Sequence, residues 1–264
     1  MIIPIIMNGY YSLVRWNGLG SPTFIGLENY RHLFFVDEVF WRTVWNTIFY
    51  SAASVPIIMI LALMFALLLN QKLRFRGFFR SALYLPAIIA SVVVGMTFLQ
   101  LFDPLMGVVN YFLGYLGVSP ISWRSDPRFA MTMVIVGTIW SRTGFNMVIY
   151  LAALQGISSE YYEAAKIDGA GPIERFRFIT MPLLSPTHLF VLVTCVVHSF
   201  RSYDMIYVMT RGGPLNSTMT MVVYIYETAF ARNVFGRASA TGMVLFAIML
   251  VFTIIRIKTQ KEVT

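Results

Sequence analysis

The chain has 264 residues, of which 58% are hydrophobic and 12% charged. A soluble domain carries roughly a quarter charged residues, so composition excludes that class and places the chain in a membrane. The formal net charge of +8 would suit nucleic acid only as a basic patch on a folded face. Here the basic residues flank apolar runs, which reads as membrane topology and argues against a nucleic-acid partner.

Only 14 residues precede Arg15, and Asn8 and Gly9 interrupt them. A spanning helix needs about 20 apolar residues, and the positive start of a signal peptide is missing. Residues 1–15 therefore read as the outer portion of a first span, short or truncated. Tyr10, Tyr11 and Trp16 look like an interfacial aromatic belt. Five full-length spans follow at 43–71, 81–102, 129–159, 178–200 and 238–255, the third carrying Arg142 and the fourth His188 and His198. Between two of them, LMGVVNYFLGYLG in 102–129 is expected to lie as a short helix on the outer surface. No linker, low-complexity tract or repeat divides the chain. The expectation is an all-α polytopic membrane protein, about six transmembrane helices in one domain over 1–264, in contact with membrane lipid. The single cysteine, Cys195, excludes an intrachain disulfide and reads as a small buried hydrophobe.

Orientation follows from lysine and arginine. Segments 71–81, 154–183 and 256–264 hold 10 basic residues in 50 positions, against 8 in 85 for segments 15–43, 102–129 and 210–237. The denser set belongs in the cytoplasm. That places the C-terminus and the stretch EYYEAAKIDGAG (160–171) on the cytoplasmic side.

This stretch has the chemistry of an elbow. Ser158 or Ser159 caps a helix that opens with Glu160, an acid where the helix dipole favours one. Glu160, Glu163 and Ala164 share one face, and Ala164 and Ala165 keep the surface low. Gly169 suits the left-handed stop, Pro172 opens a second short helix, PIERFRFIT, and Pro182 closes it. A solvated loop is the bland alternative. It has no use for an Ala-Ala pair, nor for Tyr161, Tyr162, Phe176 and Phe178 left uncovered.

The elbow resembles the EAA signature of permease subunits in binding-protein-dependent ABC importers: EAA, three residues, Gly, nine residues, Ile, any residue, Leu, Pro. Glu163, Ala164, Ala165, Gly169, Ile179 and Pro182 fall in register, with Met181 in place of the leucine. GLENY, LYLP, GFNMVIYLAALQGI and YVMTRGGP are similar to the carbohydrate-uptake branch, which includes maltose, multiple-sugar and glycerol-phosphate permeases. The resemblance implies that Glu163, Ala164, Ala165, Asp168, Gly169, Ile179 and Pro182 couple the chain to an ATPase. Glu163 would meet a basic residue in a groove of that subunit. It also implies a second permease in a heterodimer, two ATP-binding cassette subunits and an external solute-binding protein. The solute would be small and polar, a sugar, and the location the inner membrane of a prokaryote. ATP and magnesium would sit on the partner ATPase, with no cofactor on this chain. Family members usually have a complete first span, and here this chain departs from the pattern.

No G-x-x-x-x-G-K-[ST] loop is present to cradle phosphates. The three histidines, His32, His188 and His198, stand far apart, and no metal-ligand cluster appears. The chain is expected to have no enzyme activity. The alternative function is an ion-coupled secondary transporter, which would place carboxylates inside interrupted helices. Asp204 is the sole candidate carboxylate, no pair of interrupted helices in matching halves is expected, and such a carrier needs no elbow.

Arg142 falls near the centre of its span, where a charge costs about 2.5–3.5 kcal/mol, so it must face a cavity or a partner. Asn146 and Tyr150 follow at i+4 and i+8. In the next span Thr194, His198 and Arg201 recur at i, i+4 and i+7, and Asp204 follows. Arg142, Asn146, Tyr150, His198, Arg201 and Asp204 form the candidate path for a hydroxyl-rich solute. The competing reading is a structural ion pair of Arg142 or Arg201 with Asp204, with His198 a packing residue. The pattern leaves both open.

Overall fold

The computed structural model describes residues 2–71 and 73–261, with side chains as far as Ile254. Lys72 and the side chains of Arg256, Lys258 and Lys261, which carry part of the charge asymmetry, lie outside the described residues. Helix α1 (Ile2–Ser12) has 11 residues, a reach of about 16 Å that falls short of a membrane core. It leans on the last helix of the chain, Phe235–Lys261, and Asn8 Nδ2 donates to the Ser239 carbonyl at 3.3 Å. The chain then makes a small hairpin, β1 (Val14–Arg15) with β2 (Thr23–Phe24). The side-chain amide of Asn29, in α2 (Glu28–Phe35), holds it by donating to the Ser12 and Val14 carbonyls at 2.9 Å each. Strands of two residues leave no alternating pattern to read, and the sequence did not announce them.

Asp37 caps α3 (Glu38–Asn70), its carboxylate accepting from the Phe40 N–H at 3.1 Å. A short acid is favoured there because the first N–H groups of a helix lack internal partners. At 33 residues α3 is about 50 Å long and overshoots a hydrocarbon core of about 30 Å. It packs most extensively on α7 (Ala130–Gln155).

The expected span 81–102 is not one helix. It is α4 (Arg76–Ile88) and α5 (Ser91–Leu101), bent by 99° at Ile89–Ala90. Pro86 weakens the end of α4 because it cannot donate to the preceding turn, and Ile89 is extended. α4 lies against α7 where Gly144 offers no side chain: a Cβ there would collide with the Leu83 carbonyl oxygen and stand 3.0 Å from Tyr84 Cα. The segment 102–129 does hold a short helix, α6 (Val108–Tyr115). Asn110 ties it down, donating to the Pro104 and Ile121 carbonyls at 3.1 and 2.9 Å and accepting from Trp123 Nε1 at 2.8 Å. Just before it, the N–H groups of Met106 and Leu105 reach Asp103 at 2.9 Å and hold its carboxyl below the usual carboxylate range.

After α7 come α8 (Ser159–Ile167), α9 (Pro172–Arg175), a π turn at Phe176–Thr180 and α10 (Met181–Leu183). The path then turns by 63° into α11 (Ser185–Phe200), so the expected span 178–200 is bent as well. Among the described residues two helix pairs are thus bent at a break, at Ile89–Ala90 and at Leu184, which the uninterrupted apolar runs did not mark. α12 (Asp204–Thr210), α13 (Met221–Tyr226) with a following π turn (Glu227–Ala231), and α14 (Phe235–Lys261) complete the fold.

Among the described residues α3 and α14 are long and apolar enough to cross a membrane, and the bent pairs qualify as broken spans. α7 has the length, 26 residues, but its polar stripe keeps it less apolar than those four. Buried side chains gather in two clusters. One surrounds Phe40, Tyr50, Phe98, Met133 and Met205, and the other surrounds Ile58, Met147, Tyr150, Leu151 and Leu184 beside the elbow.

Candidate functional site

Two features concentrate the chemistry: an elbow between α7 and α11, and a polar cavity among the helices. The elbow is built from local turn rules. Ser158 Oγ accepts from the Glu160 N–H at 3.3 Å and starts α8. Its end is a Schellman stop. The Ala170 N–H donates to the Ala165 carbonyl at 2.8 Å, and the Gly169 N–H to Lys166 at 3.1 Å. Gly169 itself sits at φ +81°, where a Cβ is penalised. Glu174 then accepts from the Gly171 N–H at 2.6 Å, and Pro172 opens α9.

Pro182 does not close this second helix. The chain passes through it as a π turn and α10, and the break falls at Leu184. Proline has no N–H for the carbonyl four residues back. The wider turn accommodates this by shifting the register, with the Met181 N–H reaching the Phe176 carbonyl. Tyr162 on α8 hydrogen-bonds Thr180 Oγ1 at 3.0 Å and fixes the angle of the two arms.

Glu163, Ala164, Asp168 and Pro182 are exposed, and Ala165 and Ile179 are half-buried. Around them Ile167 is 88% exposed, Ile173 80%, Phe178 69% and Tyr161 57%. Large apolar side chains this open, on arms this well capped, form a rigid surface that lacks a cover. Among the described residues Glu163 and Asp168 form no ion pair.

The cavity lies where α3, α7 and α11 meet the break between α4 and α5. Two compartments of about 140 and about 80 Å³ share Thr138, Arg142 and His198. Ser54, Asn146, Cys195 and Ser199 also line the larger; Tyr50, Ser91, Arg201 and Asp204 also line the smaller. Asn146 donates to the Arg142 carbonyl at 2.9 Å and accepts from Cys195 Sγ at 3.5 Å. Tyr150 lines neither compartment. It is fully buried in the packed core with its hydroxyl 2.9 Å from His188 Nδ1. The reason is helical: eight residues on from Arg142, an α-helix has turned about 80° away.

An ion pair between Asp204 and either Arg142 or Arg201 is absent among the described residues, which hold only Arg15–Glu28 and Arg128–Asp126. Sequence reasoning missed the contribution of α3. Tyr50 bonds Thr138 Oγ1 at 3.0 Å and Ser202 Oγ at 3.3 Å, and Ser199 donates to Ser51 Oγ at 2.7 Å. A signal was there: Thr43, Thr47, Ser51 and Ser54 recur at helical spacing, and all are buried. No group of three or more metal-ligating side chains occurs among the described residues.

Comparison with known proteins shows the family of the chain. The family described as binding-protein-dependent transport system inner membrane component matches residues 36–258. The lactose transport system permease protein LacF of Rhizobium radiobacter is 37% identical, over 99% of this chain and 89% of that protein. The trehalose/maltose transport system permease protein MalF of Thermococcus litoralis is 34% identical, over 99% of this chain and 88% of its own length. Among solved structures, a chain of a bacterial ABC transporter involved in the import of the acidic polysaccharide alginate superposes with a TM-score of 0.84. It is 26% identical, covering 100% of this chain and 90% of that one. The chain belongs to the family of inner-membrane components of binding-protein-dependent transport systems.

Proposed function

We propose that the chain is the membrane-spanning permease subunit of an ATP-driven importer of a sugar or related polar solute, delivered by an external binding protein. The family, and relatives named for lactose, trehalose/maltose and arabinooligosaccharide transport, support the solute class. The observation that carries the mechanism is the capped elbow with its uncovered apolar surface. An ATPase subunit seated there would transmit its closure through α8 to α10, along α7 and α11, to the cavity. The chain has no phosphate loop, so ATP and magnesium are held by two partner cassette subunits. A second permease of similar fold completes the path, and the C-terminus is cytoplasmic. Arg142, Asn146, His198, Arg201 and Asp204 line the route of the solute, and Tyr150 supports it from the core.

Uptake in energised vesicles separates this reading from an ion-coupled carrier. Collapsing the proton and sodium gradients while ATP is supplied leaves an importer working, whereas loss of uptake under those conditions overturns it. Topology is tested independently, with single cysteines at positions 120 and 170 and a membrane-impermeant maleimide. The two are expected to label from opposite sides, and labelling from the same side overturns the orientation. Asn146→Ala is expected to weaken solute affinity or rate by about 2- to 12-fold with normal assembly, the weight of one neutral hydrogen bond. Unchanged uptake would remove Asn146 from the path.

A further inference from the structure

The cavity's charge names a class of solute, an inference that rests on the solute-path reading above. Arg142 and Arg201 both line the smaller compartment. Among the described residues neither guanidinium has a carboxylate within 4.0 Å. The lining contains one acid, Asp204, which pairs with neither. Guanidinium groups do not give up their protons in proteins, so the wall carries two fixed positive charges against one negative, with His198 beside them. The bend at Ile89–Ala90 adds to this. It starts an 11-residue helix, α5, at Ser91 on the same wall, and Ala90 supplies no side-chain cap. The free N–H groups at such a start favour negative charge. Arg142 is half-buried near the middle of α7, where an uncompensated charge is costly, and a neutral sugar leaves it uncompensated.

We propose that the transported solute carries an oxyanion: an acidic saccharide whose carboxylate, or a comparable group, docks between Arg142 and Arg201 while its hydroxyls meet Asn146, His198 and Asp204. The alternative source of compensation is a carboxylate of the second permease, and binding measurements separate the two.

The test uses the purified transporter, this chain with its partner permease and cassette subunits and without the binding protein, so that selectivity measured is that of the membrane path. Equilibrium dialysis compares trigalacturonate with neutral trigalactose. Charge-assisted contacts to arginine are expected to give the acidic trisaccharide about a 10- to 100-fold tighter Kd. In Arg142→Gln, and separately in Arg201→Gln, the ratio of the two affinities should fall below about 3. Raising salt should weaken the acidic probe selectively. If Arg142→Gln fails to assemble, Arg201→Gln decides, since Arg201 is exposed on the subunit. Equal binding of the two probes, or tighter binding of trigalactose, overturns the inference and points to a partner carboxylate, while leaving the solute-path reading standing. Binding of neither probe also overturns the inference, and if uptake in Asn146→Ala is normal as well, the solute-path reading falls with it.

Discussion

Gly144→Leu is expected to remove the subunit from the membrane, with folded protein falling below about a tenth of the normal level. The Cβ alone would collide with the carbonyl oxygen of Leu83, which belongs to the backbone of α4 and cannot rotate aside. Accommodating any side chain means lifting α4 off α7. Overpacking costs typically about 1–3 kcal/mol, and more where backbone must move. A further penalty comes from opening the cavity wall at Arg142, two residues away. Gly77→Ala is the matched control, because a Cβ at Gly77 meets nothing within 4 Å and alanine is the better helix former. Quantitative blotting of membranes, with gel filtration in detergent, checks both. Normal levels of Gly144→Leu would show that α4 does not bear on α7 as the structure has it.

Gly169→Val is expected to abolish most uptake while the subunit remains inserted. Nothing lies within 4 Å of a Cβ at Gly169, so the cost is conformational rather than steric crowding. The left-handed conformation penalises an ordinary side chain by about 1–2 kcal/mol, and a β-branched one more. Valine would release the Schellman stop, swing α9 relative to α8 and break the alignment of Glu163 with the apolar residues around it. Asn tolerates this region, so Gly169→Asn should restore much of the activity. Glu163→Lys makes the complementary change, reversing a charge without altering the backbone. Uptake, subunit level and co-purification of the ATPase are measured together for all three. Wild-type uptake by Gly169→Val at normal abundance would reduce the elbow to a solvated loop.

The contrast between these glycines shows which parts of the molecule could be read without a structure. Gly169 announced itself because its role is local: a capping serine, nine helical residues, a glycine and a following proline are a complete instruction for a helix and its stop. Gly144 did not, because its role depends on Leu83, a residue far back in the chain that happens to cross there. The breaks at Ile89–Ala90 and at Leu184 were illegible for a related reason. A helix interrupted inside an apolar run needs no polar residue to mark it, and Pro86 and Pro182 weaken helices without dictating where they bend.

Apolar run length and turn chemistry were enough for the membrane class, the spanning length of α3 and α14, the elbow and the resemblance to importer permeases. These depend on composition or on residues within one turn or loop of each other. The composition of the cavity was settled by packing. Helical spacing gives the direction of a side chain around its own axis, and Asn146 and Arg142, four residues apart, line the same compartment. It cannot say which neighbouring helix stands opposite. Arg142 reaches the same compartment as Arg201 and Ser91 because α4 and α5 part beside it and α11 ends at Phe200. Tyr150, on the drift of the same helix, is delivered to His188 and the core instead.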